Sequence, residues 1–147
     1  MSGLLTRLTI RALDAATRIL PQRDQKAMHL RTGTRGEEEA YFYLRRNGYV
    51  IVARNYRTPR SRSELDLVGW EGETLCFIEV KTRTSRQFLP AEAAVDFDKR
   101  RDLSYVAREF LRKAPGRPVF RFDVISVYLQ PGRGPDLVLF KNAFAMA

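Results

Sequence analysis

Three ionisable residues interrupt a stretch that otherwise reads as an apolar hairpin. In LDLVGWEGETLCFIEVKTR, residues 65–83, Asp66, Glu79 and Lys81 stand among Leu, Val, Trp, Phe and Ile. Charged side chains in such surroundings are costly unless something compensates them. Side-chain parity says where they go. With a two-residue turn at Glu71 and Gly72, residue 66 falls opposite 77 and residue 64 opposite 79, so Asp66, Glu79 and Lys81 share one face with Val68, Trp70, Leu75 and Phe77. Leu65, Leu67, Cys76, Ile78 and Val80 make the other face, a coherent buried surface. The expected result is two carboxylates and an ammonium at the end of a sheet covered on both sides.

Two carboxylates brought together repel unless a proton or a cation intervenes. A hard divalent ion such as Mg²⁺ (or Mn²⁺) suits them, because it prefers carboxylate oxygens, keeps several waters and also takes phosphate oxygens. Lys81, two residues beyond Glu79, is placed to orient an attacking water or to offset charge on a phosphorane-like transition state. These are the parts for metal-assisted phosphodiester hydrolysis. The plain alternative is a structural Glu79–Lys81 ion pair, against which Asp66 on the same face weighs.

The elements that must position these groups follow from periodicity and punctuation. Residues 4–20 place Leu4, Leu8, Ala12, Ala15 and Ile19 at helical spacing before Pro21, an amphipathic helix expected to dock on the main domain. Residues 22–33 lack sustained periodicity and read as a linker. From Thr34 a helix is expected, with Thr34 and Glu37 at capping-box spacing, Ala40, Tyr41 and Leu44 as its stripe, and Asn47–Gly48 as its stop. Strands are expected at 49–56, 64–70 and 74–82, a basic loop at 57–63, and a long helix from about 91 to 113, stopping before Pro115–Gly116. Two more strands, 118–129 and a last one through 144, complete an αβββαββ order. That order implies an α/β fold: a mixed central sheet flanked by helices. The domain reading is an extension at 1–32 and one domain at 33–147.

Charge points to the partner. The 26 Lys and Arg against 17 Asp and Glu give a net charge of +9, which favours polyanions and nucleic acid first. Arg60 and Arg62 in the basic loop, Arg83 at a strand end, and Lys99 and Arg100 in the run 99–101 are the candidates for backbone phosphates. A single cysteine, Cys76, and a single histidine, His29, argue against disulfides and soft-metal sites. No apolar run approaches a membrane span, so a cytoplasmic location without integral membrane association is expected. Asp123 reads as structural, paired with Arg121 or with an arginine on a neighbouring helix.

The pattern Asp66, then Glu79-Val80-Lys81, resembles the D…(D/E)xK core of the restriction-endonuclease-like nucleases, Holliday-junction resolvases among them. More closely, RGEEEAYFYLRRNGYVIVARNYR, ELDLV, LCFIEVKTR, AAVDFDKRRDLSYVAREFL and RFDVISV follow the order and spacing of the bacterial YraN family across roughly residues 33–145. The resemblance implies a restriction-endonuclease-like core and a metal-dependent endonuclease acting on DNA ahead of RNA, branched or structured DNA included, by in-line attack that leaves a 5′-phosphate and a 3′-hydroxyl. It assigns Glu37, Asp66 and Glu79 to the metal and Lys81 to catalysis, and it suggests a homodimer. One departure stands out: the family's Gly-Glu-Ile-Asp appears here as Ser63, Glu64, Leu65 and Asp66. Two other readings remain: a nucleic-acid-binding protein that keeps the fold without cutting, and an adaptor that uses its N-terminal helix to reach a protein or membrane.

Overall fold

The computed structural model describes residues 22–84 and 95–147. The helix expected at 4–20 and the first residues of the one expected from 91 lie outside them. The described elements run α1 (Gln22–Arg46), β1 (Val50–Tyr56), β2 (Leu65–Glu71), β3 (Thr74–Arg83), α2 (Phe97–Lys113), β4 (Phe120–Tyr128) and β5 (Asp136–Phe144). The five strands form one sheet in the order β1-β2-β3-β4-β5. Only β3 and β4 pair in parallel, with α2 between them in the chain, and every other neighbour is antiparallel. This is the mixed α/β architecture expected, consistent with a restriction-endonuclease-like core. No helix among the described residues is long and apolar enough to cross a membrane.

Among the described residues each face of the sheet carries one helix. On one side Ala40 and Leu44 of α1 pack with Leu67, Cys76, Ile78, Val80, Ile125 and Val127. On the other, Leu103, Val106 and Ala107 of α2 pack with Val68, Leu75, Phe77, Phe122 and Val124. Cys76 is buried as a small hydrophobe. Leu65 departs from its expected place: it packs on the α2 side, not with Leu67. It is the first residue of β2, paired with Tyr56 of β1 but ahead of the pairing with β3, which begins at Leu67 against Ile78.

The segment 22–33 is the main correction. It is helix, continuous through residue 46, and not a linker. Amphipathic periodicity reports a face pressed on a core, and here residues 26–31 are mostly exposed. Good helix formers without a proline are enough for such a segment when the rest of the helix is anchored. The capping box falls with it. Thr34 lies mid-helix and its hydroxyl donates to the Leu30 carbonyl at 3.0 Å, as Thr32 does to Met28. The stop at Asn47–Gly48 stands: Gly48 has φ +88°, and the Tyr49 and Gly48 amides donate to Leu44 and Arg45 carbonyls in a Schellman closure. Helix α2 starts later than 91, because Asp96 caps it by accepting the Lys99 N–H at 2.8 Å.

Two glycines inside α1 invite a reason, since each costs about 1 kcal/mol relative to alanine. At Gly36 the reason is contact: a Cβ there would stand 1.8 Å from the Thr82 Oγ1 of β3. At Gly33 a Cβ would meet nothing within 4 Å. We expect Gly36→Ala to lower stability by about 1–3 kcal/mol, as overpacking does. In a Thr82→Ala background, where the obstructing hydroxyl is gone, the loss should shrink clearly. Chemical denaturation of the four proteins measures this, and an unchanged loss in the double variant would refute the contact.

Candidate functional site

The β2–β3 hairpin turns at Gly72 and Glu73, one residue later than expected, with Glu71 opposite Thr74 and Leu67 opposite Ile78. The turn still has two residues, so parity survives while the register moves by two. Continued one pair further, it sets Asp66 opposite Glu79, where a turn at 71 and 72 would have set Phe77. Beyond the ladder the Asp66 side chain takes over a backbone partner: the Val80 N–H donates to its Oδ2 at 2.8 Å. That bond anchors the Asp66 carboxylate against β3.

Glu79 is only 6 % exposed, and two ammonium groups converge on its Oε1, Lys81 Nζ at 3.4 Å and Lys99 Nζ at 3.7 Å. Lys81 comes from the same strand and Lys99 from the first turn of α2, so the parallel β3–α2–β4 connection delivers the second cation. Oε2 of Glu79 is buried with no hydrogen-bond donor among the described residues. Asp66 and Glu79 lie within hydrogen-bonding reach of each other, and burial, then the Glu79 charge, push the Asp66 carboxyl up to about 8 against the opposing Val80 bond. Burial, followed by Glu64, also raises Glu37, while Arg54 pulls it down.

Of the three carboxylates assigned by resemblance, the structure brings two into contact. Glu37 stands within electrostatic reach of Asp66 and Glu79. Yet among the described residues no three His, Cys, Asp or Glu side chains lie close enough to hold an ion together. The donor set that does converge fits a hydrated hard cation, which commonly takes one or two carboxylates and leaves its other positions to water and phosphate. A buried carboxylate oxygen without a donor supports that fit.

The expected phosphate contacts separate. Arg60 and Arg62 are exposed on the loop that leads into Leu65 and Asp66, a loop braced by the Arg57–Glu64 pair at 3.0 Å. Arg83 is half-buried at the end of β3. Arg100 turns to structural work: its Nε donates to the Val95 carbonyl at 2.7 Å and its guanidinium lies over the Phe144 ring at 5.3 Å. Asp123 is fully buried, accepts from Arg121 Nε at 2.9 Å and from the Asn142 amide, and so is structural as expected.

Two features escaped sequence reasoning. Ser126 pairs in register with Lys81 across β3 and β4, and its buried Oγ has no hydrogen-bond partner among the described residues. Its signal was available only once the strand pairing was known. A cavity of about 320 Å³ lies beside the carboxylates, lined by His29, Thr32, Gly33 and Glu37 of α1 and by residues 80–84 of β3 and the position after it. It required the helical course of residues 22–33.

The raised Asp66 value has a sign that can be checked. In the unfolded chain the carboxyl loses its proton near the ordinary value of 3.8, and in the fold it keeps it to about 8. Its favourable contribution is therefore present in acid and is lost progressively as pH rises through that window. Asp66→Asn should melt higher than wild type at pH 8 in chelator, by on the order of 2 kcal/mol, with the gap closing toward pH 4. Thermal melts across that range decide it, and equal melting at pH 8 would count against the buried pair.

Comparison with known proteins agrees with the motifs. Residues 36–127 match the family described as Uncharacterised protein family UPF0102. A UPF0102 protein of Koribacter versatilis is 53% identical over 144 residues, 98% of this chain and 97% of its own, so the likeness extends into the N-terminal stretch. UPF0102 proteins of Solibacter usitatus and Caldicellulosiruptor saccharolyticus are 46% and 39% identical, each over 76% of this chain and over 84% and 95% of their own lengths. With a match across most of the sheet and relatives this similar, the chain belongs to the UPF0102 family, the YraN family whose blocks its sequence carries.

Proposed function

We propose that the protein is a divalent-metal-dependent endonuclease that hydrolyses phosphodiester bonds in DNA. The observation that carries the reading is the convergence of Asp66, Glu79, Lys81 and Lys99 at one end of the sheet, with a buried Glu79 oxygen left without a donor. A purely structural ion pair needs one carboxylate and one ammonium. A phosphate-binding surface alone has no use for two carboxylates that repel phosphate.

Asp66 and Glu79 would hold the metal, Mg²⁺ or Mn²⁺, which when bound supplies charge neutralisation for phosphate oxygens and a more acidic water. The remaining work falls to the chain. The Val80 amide fixes the Asp66 carboxylate, so one wall of the site is set before substrate arrives. Lys81, half-buried beside Ser126, presents its ammonium to a nonbridging phosphate oxygen or to the attacking water. Lys99, its Nζ 3.7 Å from Glu79 Oε1, adds a second positive charge where negative charge accumulates in the transition state. Arg60 and Arg62, exposed on the loop that enters β2, would meet backbone phosphates away from the reacting bond.

The test is cleavage of branched, nicked and single-stranded DNA with Mg²⁺ or Mn²⁺. Wild type should cut at least one of them, Asp66→Ala and Glu79→Ala should fall to background, and Lys81→Ala should lose on the order of 10²-fold or more in rate. Equal cleavage by all four proteins would remove the assignment. Salt-sensitive binding that ignores chelator, with no cleavage of any substrate, would instead favour a nucleic-acid-binding protein that keeps the nuclease fold.

A further inference from the structure

The cavity between α1 and the end of β3 is next to the carboxylates and shares residues with them. Lys81 belongs to both, and Glu37, which feels the Glu79 charge, lines its wall. At about 320 Å³ it sits at the small end of ligand sites, too small for a stacked base pair and suited to one nucleotide. Its lining combines cations at the strand end, Lys81 and Arg83, with the imidazole of His29 and the hydroxyls of Thr32 and Thr84 on either side. Phosphate suits the cations, and a base edge or sugar suits the mixed donors and acceptors opposite.

Gly33 is the independent observation. It lies inside a 25-residue helix, where glycine is the poorest choice after proline, and a Cβ there would meet nothing within 4 Å. Close packing, which accounts for Gly36, therefore does not account for Gly33. Gly33 is one of the residues that line the cavity, and the space a Cβ would enter there is open.

We propose that this cavity receives a single unpaired nucleotide of the nucleic-acid substrate, its phosphate toward Lys81 and Arg83, so that the site selects strands with an unpaired or extruded nucleotide over continuous duplex. The proposal deepens the nuclease reading and rests on it for the identity of the polymer. An extruded nucleotide costs least where pairing is already broken, which gives such a pocket its selectivity.

The test is fluorescence anisotropy in chelator, where cleavage plays no part, with a short labelled 5′-phosphorylated single strand and the same sequence as blunt duplex. Wild type should bind the single strand roughly tenfold more tightly than the duplex, the scale of one well-seated base. Gly33→Leu, melting no lower than wild type, should lose that preference. His29→Ala, which alters an exposed side chain, should weaken the single strand several-fold and supplies the readout should the leucine variant melt low. A nucleoside monophosphate should compete with the strand; inorganic phosphate competing equally well would reduce the cavity to a phosphate site and overturn the nucleotide assignment. Preference unchanged in both variants would overturn it too. Cleavage without strand preference removes this proposal alone, and strand preference without any cleavage removes the nuclease reading alone.

Discussion

Asp66 and Glu79 are held within reach of each other by the pairing of β2 with β3, in a place where water screens little of their repulsion. That constraint organises the surroundings. Two lysines from different elements converge on one Glu79 oxygen, a backbone amide is spent on Asp66, and a proton is retained on Asp66 far above its ordinary range. Each of these lowers the cost of the pair, and none removes it. Buried like charges of this kind persist in proteins chiefly where a site uses them.

The fold supplies the constraint through simple means. A two-residue turn preserves parity along the hairpin, so Asp66 and Glu79 emerge on one face whichever of two adjacent positions the turn adopts. The parallel pairing of β3 with β4 requires a crossover, and the crossover helix α2 brings Lys99 over that face. On the other face α1 approaches β3 closely at Gly36, which draws Glu37 and the cavity against the end of the same strand. Glu79, Lys81 and the neighbouring pocket thus share one short segment, residues 79–84, reached from both sides of the sheet.

Much of this was legible in the sequence because it depends on local rules. Alternation in the strands, glycine at the end of α1 and the Arg121–Asp123 pair are short-range patterns that the packed structure keeps. What was not legible depended on tertiary context. Residues 22–33 carry no apolar stripe, and the side chains at 26–31 mostly face water, so periodicity was silent about a real helix. Thr34 and Glu37 have capping-box spacing, yet a continuing helix upstream leaves no free amides for them to cap. Arg100 looked like one of three exposed cations until Val95 and Phe144 were found to hold it inward. Ser126 gains meaning only beside Lys81, a neighbour set by a strand pairing that no local pattern specifies.

Whether the Asp66–Glu79 pair takes up a hard divalent cation can be read from binding alone. Titration of Mn²⁺ into the protein without nucleic acid, with free Mn²⁺ followed by its electron paramagnetic resonance signal, tests it most directly. Wild type should show one saturable site that is absent from Glu79→Ala and retained in Lys99→Ala. No binding by wild type, or the same binding by Glu79→Ala, would contradict it.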